Sequence, residues 1–129
     1  MTNGPSWQSG NAKAMLAKLD RGEKLAATYE APVGVWQFGT NLTLVALSGE
    51  VVVDYVQLLE QAIGPLLLWV AAYCNDVFGY FPSARVFKEG GYECRGLYTT
   101  QGFFAPEAQN VLVAKVRELA RRAARKLPE

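Results

Sequence analysis

The chain has 129 residues, half of them apolar, with 13 basic against 12 acidic side chains and a formal net charge of +1. That length suits one domain with a true hydrophobic core, and the apolar share excludes a disordered chain. The near balance of charge offers no general attraction for nucleic acid or a membrane surface. The longest apolar run, residues 66–74, is too short to span a bilayer.

Met1 to Gly10 is polar and Gly-rich and reads as a flexible tail, leaving 11–129 as a single α/β domain. No basic stretch followed by an apolar run is visible there, so no signal peptide and a cytoplasmic location are expected. Asn11 can cap a helix running to about Asp20, where Gly22 supplies a stop. Its apolar stripe would be Ala14, Met15, Leu16, Ala17 and Leu19.

Val33 to Phe38 and Leu42 to Leu47 read as two strands joined by the turn Gly39-Thr40-Asn41, a hairpin. Ser48-Gly49-Glu50 breaks the second strand. In Val51 to Ile63 the valines favour strand, but Val52, Tyr55, Val56, Leu59 and Ile63 fall on one helical face, which predicts a helix. Gly64-Pro65 ends it, and Leu66 to Tyr73 is predicted as a buried strand. Strand, helix, strand with short links implies a right-handed crossover and a parallel pair.

Pro82-Ser83 opens a short helix through about Glu89, with Ser83 as cap and Gly90-Gly91 as stop. Tyr92 to Phe104 is aromatic and Gly-rich, without periodicity. Pro106 starts a long final helix whose inner face is Ala108, Leu112, Val116, Leu119 and Ala123. Its outer face, Lys115, Arg117, Arg121, Arg122 and Arg125, reads as solvated. The sum is a small mixed sheet of about three strands with one parallel βαβ crossover, covered by helices. Such a sheet has exposed edges and an uncovered face, so a homo-oligomer is expected.

The stretch 73–93, YCNDVFGYFPSARVFKEGGYE, puts polar, aromatic, Gly and Pro residues straight after an apolar strand, as strand ends carrying sites do. Glu50 lies beside Gly49 where the preceding strand ends, and helix N-termini favour such a carboxylate. It is either a site residue or an acidic first-turn residue that helps the helix start. Asp76 leaves the next strand at the same edge, either as a functional carboxylate or as a turn former. Tyr80 is either a partner for Glu50 or an aromatic at the core rim. Glu50, Asp76 and Tyr80 are the candidate acid/base groups.

No cofactor-binding motif is visible, since "EGGYE" lacks the lysine and spacing of a phosphate loop. The two cysteines, Cys74 and Cys94, cannot frame a zinc finger and read as free thiols. The chain contains no histidine, the commonest metal ligand and general base.

The segments "LTLVALSGEVVVDY" and "LWVAAYCNDVFGYFPSARVFKEGGYE" resemble the neutral, or non-lysosomal alkaline, ceramidase family, and its short bacterial relatives above all. The likeness runs from about Pro32 to the last helix and covers the late part of that family's N-terminal catalytic domain. It implies a zinc ion that hydrolyses the amide bond of ceramide, held by two histidines from earlier sequence together with a glutamate and a tyrosine. Glu50 matches the glutamate and Tyr80 the tyrosine, so these are the candidate metal ligands. The chain departs from the family in having no histidine, and the family's C-terminal accessory domain is not expected in it. A catalytic zinc keeps three protein ligands and an open position, so the resemblance implies an incomplete site and no resident cofactor. The expected role is a binding or assembly module without independent catalysis. The alternatives are a zinc amidase completed by histidines from a complementary ceramidase-like chain, or a small-ligand enzyme using Glu50, Asp76 and Tyr80.

Overall fold

The computed structural model describes residues 6–94 and 104–128. In chain order these form α1 (Ser6–Asp20), β1 (Val33–Phe38), β2 (Leu42–Leu47), β3 (Glu50–Val51), α2 (Asp54–Ile63), β4 (Leu68–Ala71), β5 (Tyr80–Phe81), α3 (Ala84–Glu89) and α4 (Ala108–Arg122). The predicted hairpin forms, with Phe38 opposite Leu42 and Val33 opposite Leu47. Across the crossover helix α2, β4 pairs parallel to β2, giving the sheet order β1-β2-β4. A separate parallel pair joins β3 to β5.

The core follows from two periodicities. Thr43, Val45 and Leu47 alternate onto one face of β2 and are fully or almost fully buried. Onto that face pack Tyr55, Leu59 and Ile63 of α2 and Leu112, Val116 and Ala120 of α4, each set four residues apart, together with Phe78 and Phe81. The phenol of Tyr55 donates to the Pro82 carbonyl at 3.2 Å, and burial first, then the Asp54 charge, raises its pKa.

Several element ends differ from the sequence reading. The helix expected from Val51 begins at Asp54, because Glu50 and Val51 are drawn into pairing with Tyr80 and Phe81. Val56, expected inward, is exposed. The strand expected over Leu66 to Tyr73 contracts to Leu68–Ala71, since Leu67 (φ 32°) and Tyr73 (φ 59°) leave the extended region. On α4 the third core contact is Ala120 rather than Leu119. Helix α1 begins at Ser6 instead of following a tail to Gly10, and its Leu16 and Leu19 are exposed. Met1 to Pro5 of the expected tail lie outside the described residues, as does most of the aromatic stretch, of which Tyr92–Cys94 form a 3₁₀ turn.

The basic outer face of the last helix also needs correction, because Arg125 is buried and Arg117 is partly so. Arg117 donates to the Ala62 carbonyl at 2.7 Å. Arg125 donates to the carbonyls of Ile63 at 2.7 Å, Gly64 at 2.6 Å and Leu66 at 3.0 Å, and to the Thr43 hydroxyl. Both guanidinium groups thus sit on the C-terminal carbonyls of α2, where a helix carries partial negative charge. Among the described residues no helix is long and apolar enough to cross a membrane.

Candidate functional site

The site is built at the carboxyl ends of β2 and β4. Gly49 turns the chain out of β2 at φ 74°, and a Cβ there would lie 2.6 Å from the Phe78 ring and 3.1 Å from the Gly79 carbonyl. Only glycine fits such a turn without displacement. The turn is stitched to the loop after β4: the Gly49 N–H donates to the Asp76 carbonyl (2.7 Å), and the Tyr73 N–H donates to the Gly49 carbonyl (3.0 Å). The Glu50 N–H donates to the Gly79 carbonyl at 2.8 Å. Tyr73 (φ 59°) and Asn75 (φ 68°) hold left-handed backbone in this loop, a conformation that costs roughly 1–3 kcal/mol per non-glycine residue. The strain sits where the two strand ends meet.

These bonds bring Glu50 and Tyr80 together as register partners of adjacent parallel strands. Neighbouring strands lie about 4.8 Å apart and register partners share a face, so the Glu50 and Tyr80 side chains leave the sheet from adjacent positions. They line a cleft of about 470 Å³ with Tyr73, Asp54, Arg85, Glu89 and Glu93. Tyr80 also meets Tyr92 edge to face, with ring centroids 5.5 Å apart.

Asp76 goes elsewhere. Its carboxylate accepts a hydrogen bond from the Tyr29 hydroxyl, which holds the Tyr29 pKa up, and Asp76 does not line the Glu50 cleft. Its side chain thus tethers the segment before β1, while its carbonyl fixes the Gly49 turn. A second cavity, about 430 Å³, lies beside Tyr29 and is walled largely by Ala26, Ala31, Val33, Phe81, Phe104 and Val111. It gathers few titratable groups.

Sequence reasoning missed the ion-pair wall of the cleft. Arg85 reaches Asp54 through two bonds, Nη2 to Oδ1 at 2.7 Å and Nε to Oδ2 at 2.9 Å, and Nη1 reaches Glu89 at 2.6 Å. Ser83 caps α3 as expected, accepting from the Val86 N–H at 3.1 Å, and its hydroxyl donates to Asp54 at 2.6 Å. The Arg85–Glu89 spacing on a helix was a readable signal. The Asp54–Arg85 contact, 31 residues apart, was not.

The Arg85 guanidinium and then the Ser83 hydroxyl hold the Asp54 carboxyl below the usual carboxylate range. A lowered folded pKa adds stability that is present above the unfolded pKa, about 3.9, and is lost as pH falls through the lower folded value. Asp54→Asn should therefore reduce stability at neutral pH and flatten the acid limb. Urea midpoints at neutral pH and at about pH 3 should lie closer together in the variant than in the native chain. An unchanged separation would remove Asp54 from the acid transition.

Among the described residues no three Asp, Glu, Cys or His side chains converge closely enough to hold a metal ion. Glu50 and Tyr80 offer oxygen donors alone, whereas zinc favours imidazole and thiolate. The described donor set therefore does not fit zinc. Cys74 and Cys94 are free thiols, directed at the carbonyls of Ala72 (3.4 Å) and Val86 (3.0 Å) and absent from the cleft lining. Burial, and then the Glu93 charge, pushes the Cys94 thiol up, away from the reactive thiolate. Together the cleft offers a carboxylate–phenol pair, an aromatic wall and an excess of acidic groups, suited to hydrogen bonding a polar or cationic group. No protein-family model, curated protein or solved structure matches this chain.

Proposed function

We propose that this chain is a ceramidase-like binding and assembly module without amidase turnover of its own, acting as a homo-oligomer. The observation that carries this reading is the register pairing of Glu50 with Tyr80 in a chain that has no histidine. The two residues that resemble the family's late zinc ligands stand together, and the two imidazoles they would need are not in this chain. Water activation by zinc rests on three protein ligands holding the ion with one position open. Two oxygen donors would leave such an ion weakly held.

The role left to the Glu50 cleft is recognition. Glu50, Asp54, Glu89 and Glu93 surround it, and Arg85 pairs with both Asp54 and Glu89, its single charge leaving the cleft acidic. A second reading, a hydrolase completed by histidines from a complementary chain, draws on the same pair standing at an open cleft. Both are tested by hydrolysis of a long-chain N-acyl amide by the purified protein in the presence of zinc. No turnover is expected for this chain alone. Turnover appearing only after a histidine-bearing ceramidase-like chain is added would favour the second reading.

A further inference from the structure

We infer that the outer face of the sheet is the contact surface between two copies of this chain, an inference that rests on the assembly reading above. The register of β1, β2 and β4 places Trp36, Leu44 and Trp69 in one row across that face. Gly34, Ala46 and Ala71 form the next row, and Phe38 with Leu42 the row on the other side. None of these positions carries a charge. The opposite face is occupied by α2 and α4, whereas here Trp36 is 49%, Phe38 55% and Trp69 61% exposed. Leu67, whose carbonyl accepts from the Thr43 N–H, carries the apolar surface past the leading end of β4 together with exposed Leu66.

Shape and area both favour a second sheet. A Cβ on Gly34 would lie 2.4 Å from the Trp36 indole, so the ring lies down over the glycine and levels the face. Level apolar faces pack as sheet on sheet, with strands about 30° apart. Aromatic side chains span about 150–250 Å² each, so the exposed parts of Trp36, Phe38 and Trp69 amount to roughly 250–400 Å² of apolar surface, to which exposed Leu66 and Leu67 add. A stable interface takes about 800 Å² from each partner, so this apolar face would form the centre of such a contact.

Charge points to a copy of the same chain. A two-fold contact sets the same patch against itself, so any charge on it would meet its like. This face has none, and the net charge of +1 leaves little repulsion between copies. A partner recognised through charge would find nothing to read here.

Sedimentation velocity of the full chain over a dilution series tests this, beside Trp69→Lys and Phe38→Asp. Both altered side chains are more than half exposed, and thermal unfolding checks that each variant folds. The native chain is expected to sediment as a dimer that dissociates on dilution. Trp69→Lys should weaken the dimer by about 100-fold or more, as loss of a central aromatic anchor does. Phe38→Asp reads the same face should the first variant fail to fold. A dimer that persists unchanged in the folded variants would overturn this surface while leaving the assembly reading standing. A native chain that stays monomeric throughout, including one that binds lipid vesicles through this face, would overturn both.

Discussion

Replacing Arg125 with methionine is expected to lower stability by about 3 kcal/mol, with a fall in Tm of roughly 10 °C for a domain of this size. The residue is buried and spends its donors on Ile63, Gly64, Leu66 and Thr43. Thr43 donates in turn to Gln37 at 2.6 Å, so one side chain ties the end of α2 to β2 and, through β2, to β1. Burial lowers the Arg125 pKa, yet guanidinium remains cationic at any ordinary pH. Its positive charge is therefore always present against the α2 carbonyls. Methionine fills much of the volume but leaves these acceptors without their donor, and an orphaned buried group costs about 1–3 kcal/mol. Arg125→Lys should fall between, because an ammonium keeps the charge without the planar fork. Urea unfolding measures both, and a methionine variant within about 0.5 kcal/mol of native would show that water replaces the arginine without loss.

Gly49→Ala is expected to cost about 3 kcal/mol as well, for a different reason. The left-handed backbone at φ 74° penalises any side chain, and the new methyl would run into Phe78 at 2.6 Å. Phe78 is a core residue packed against Tyr29, Phe81 and Phe104, so it cannot swing aside cheaply. The strain would fall on the bonds that hold Glu50 beside Tyr80. Loss of stability should thus come with loss of protection at the Glu50 amide, which donates to Gly79. Hydrogen exchange at that amide measures it. Native-like protection alongside native-like stability would mean that the loop yields freely.

What was legible in the sequence follows from local physics. The hairpin has its bounds written in alternating apolar residues around Gly39-Thr40-Asn41, and β1 and β2 match the expected ranges residue for residue. Ser83 and the glycines after Glu89 mark α3 equally well. The parallel pairing of β2 with β4 also followed, from a short strand–helix–strand order. The pair β3–β5 was illegible because two-residue strands have no period. Arg125 was misplaced because helical phase continues on paper beyond Arg122, whereas the chain turns at Ala124, which adopts φ 65°. Its folded position depends on carbonyls about 60 residues away, which no local pattern records.

The same division holds for the candidate site. Glu50 and Tyr80 were reached from a loop composition, from strand ends sharing an edge, and from the ceramidase likeness. Their adjacency rests on the Gly49 turn and the three loop residues between Asp76 and Tyr80, which no motif specifies. Asp76 had the right chemistry and the right loop but faces Tyr29 instead. The acidic wall owes its form to Arg85, which bridges Asp54 and Glu89 from a helix entered 30 residues after Asp54.

Amide hydrolysis by the purified chain with added zinc, run beside Glu50→Gln, is the sharpest measurement. A binding and assembly module whose Glu50–Tyr80 pair lacks imidazole partners gives the background rate in both proteins, with no zinc retained on dialysis. Turnover with zinc retained in one-to-one ratio by the native chain, and abolished in Glu50→Gln, would contradict it.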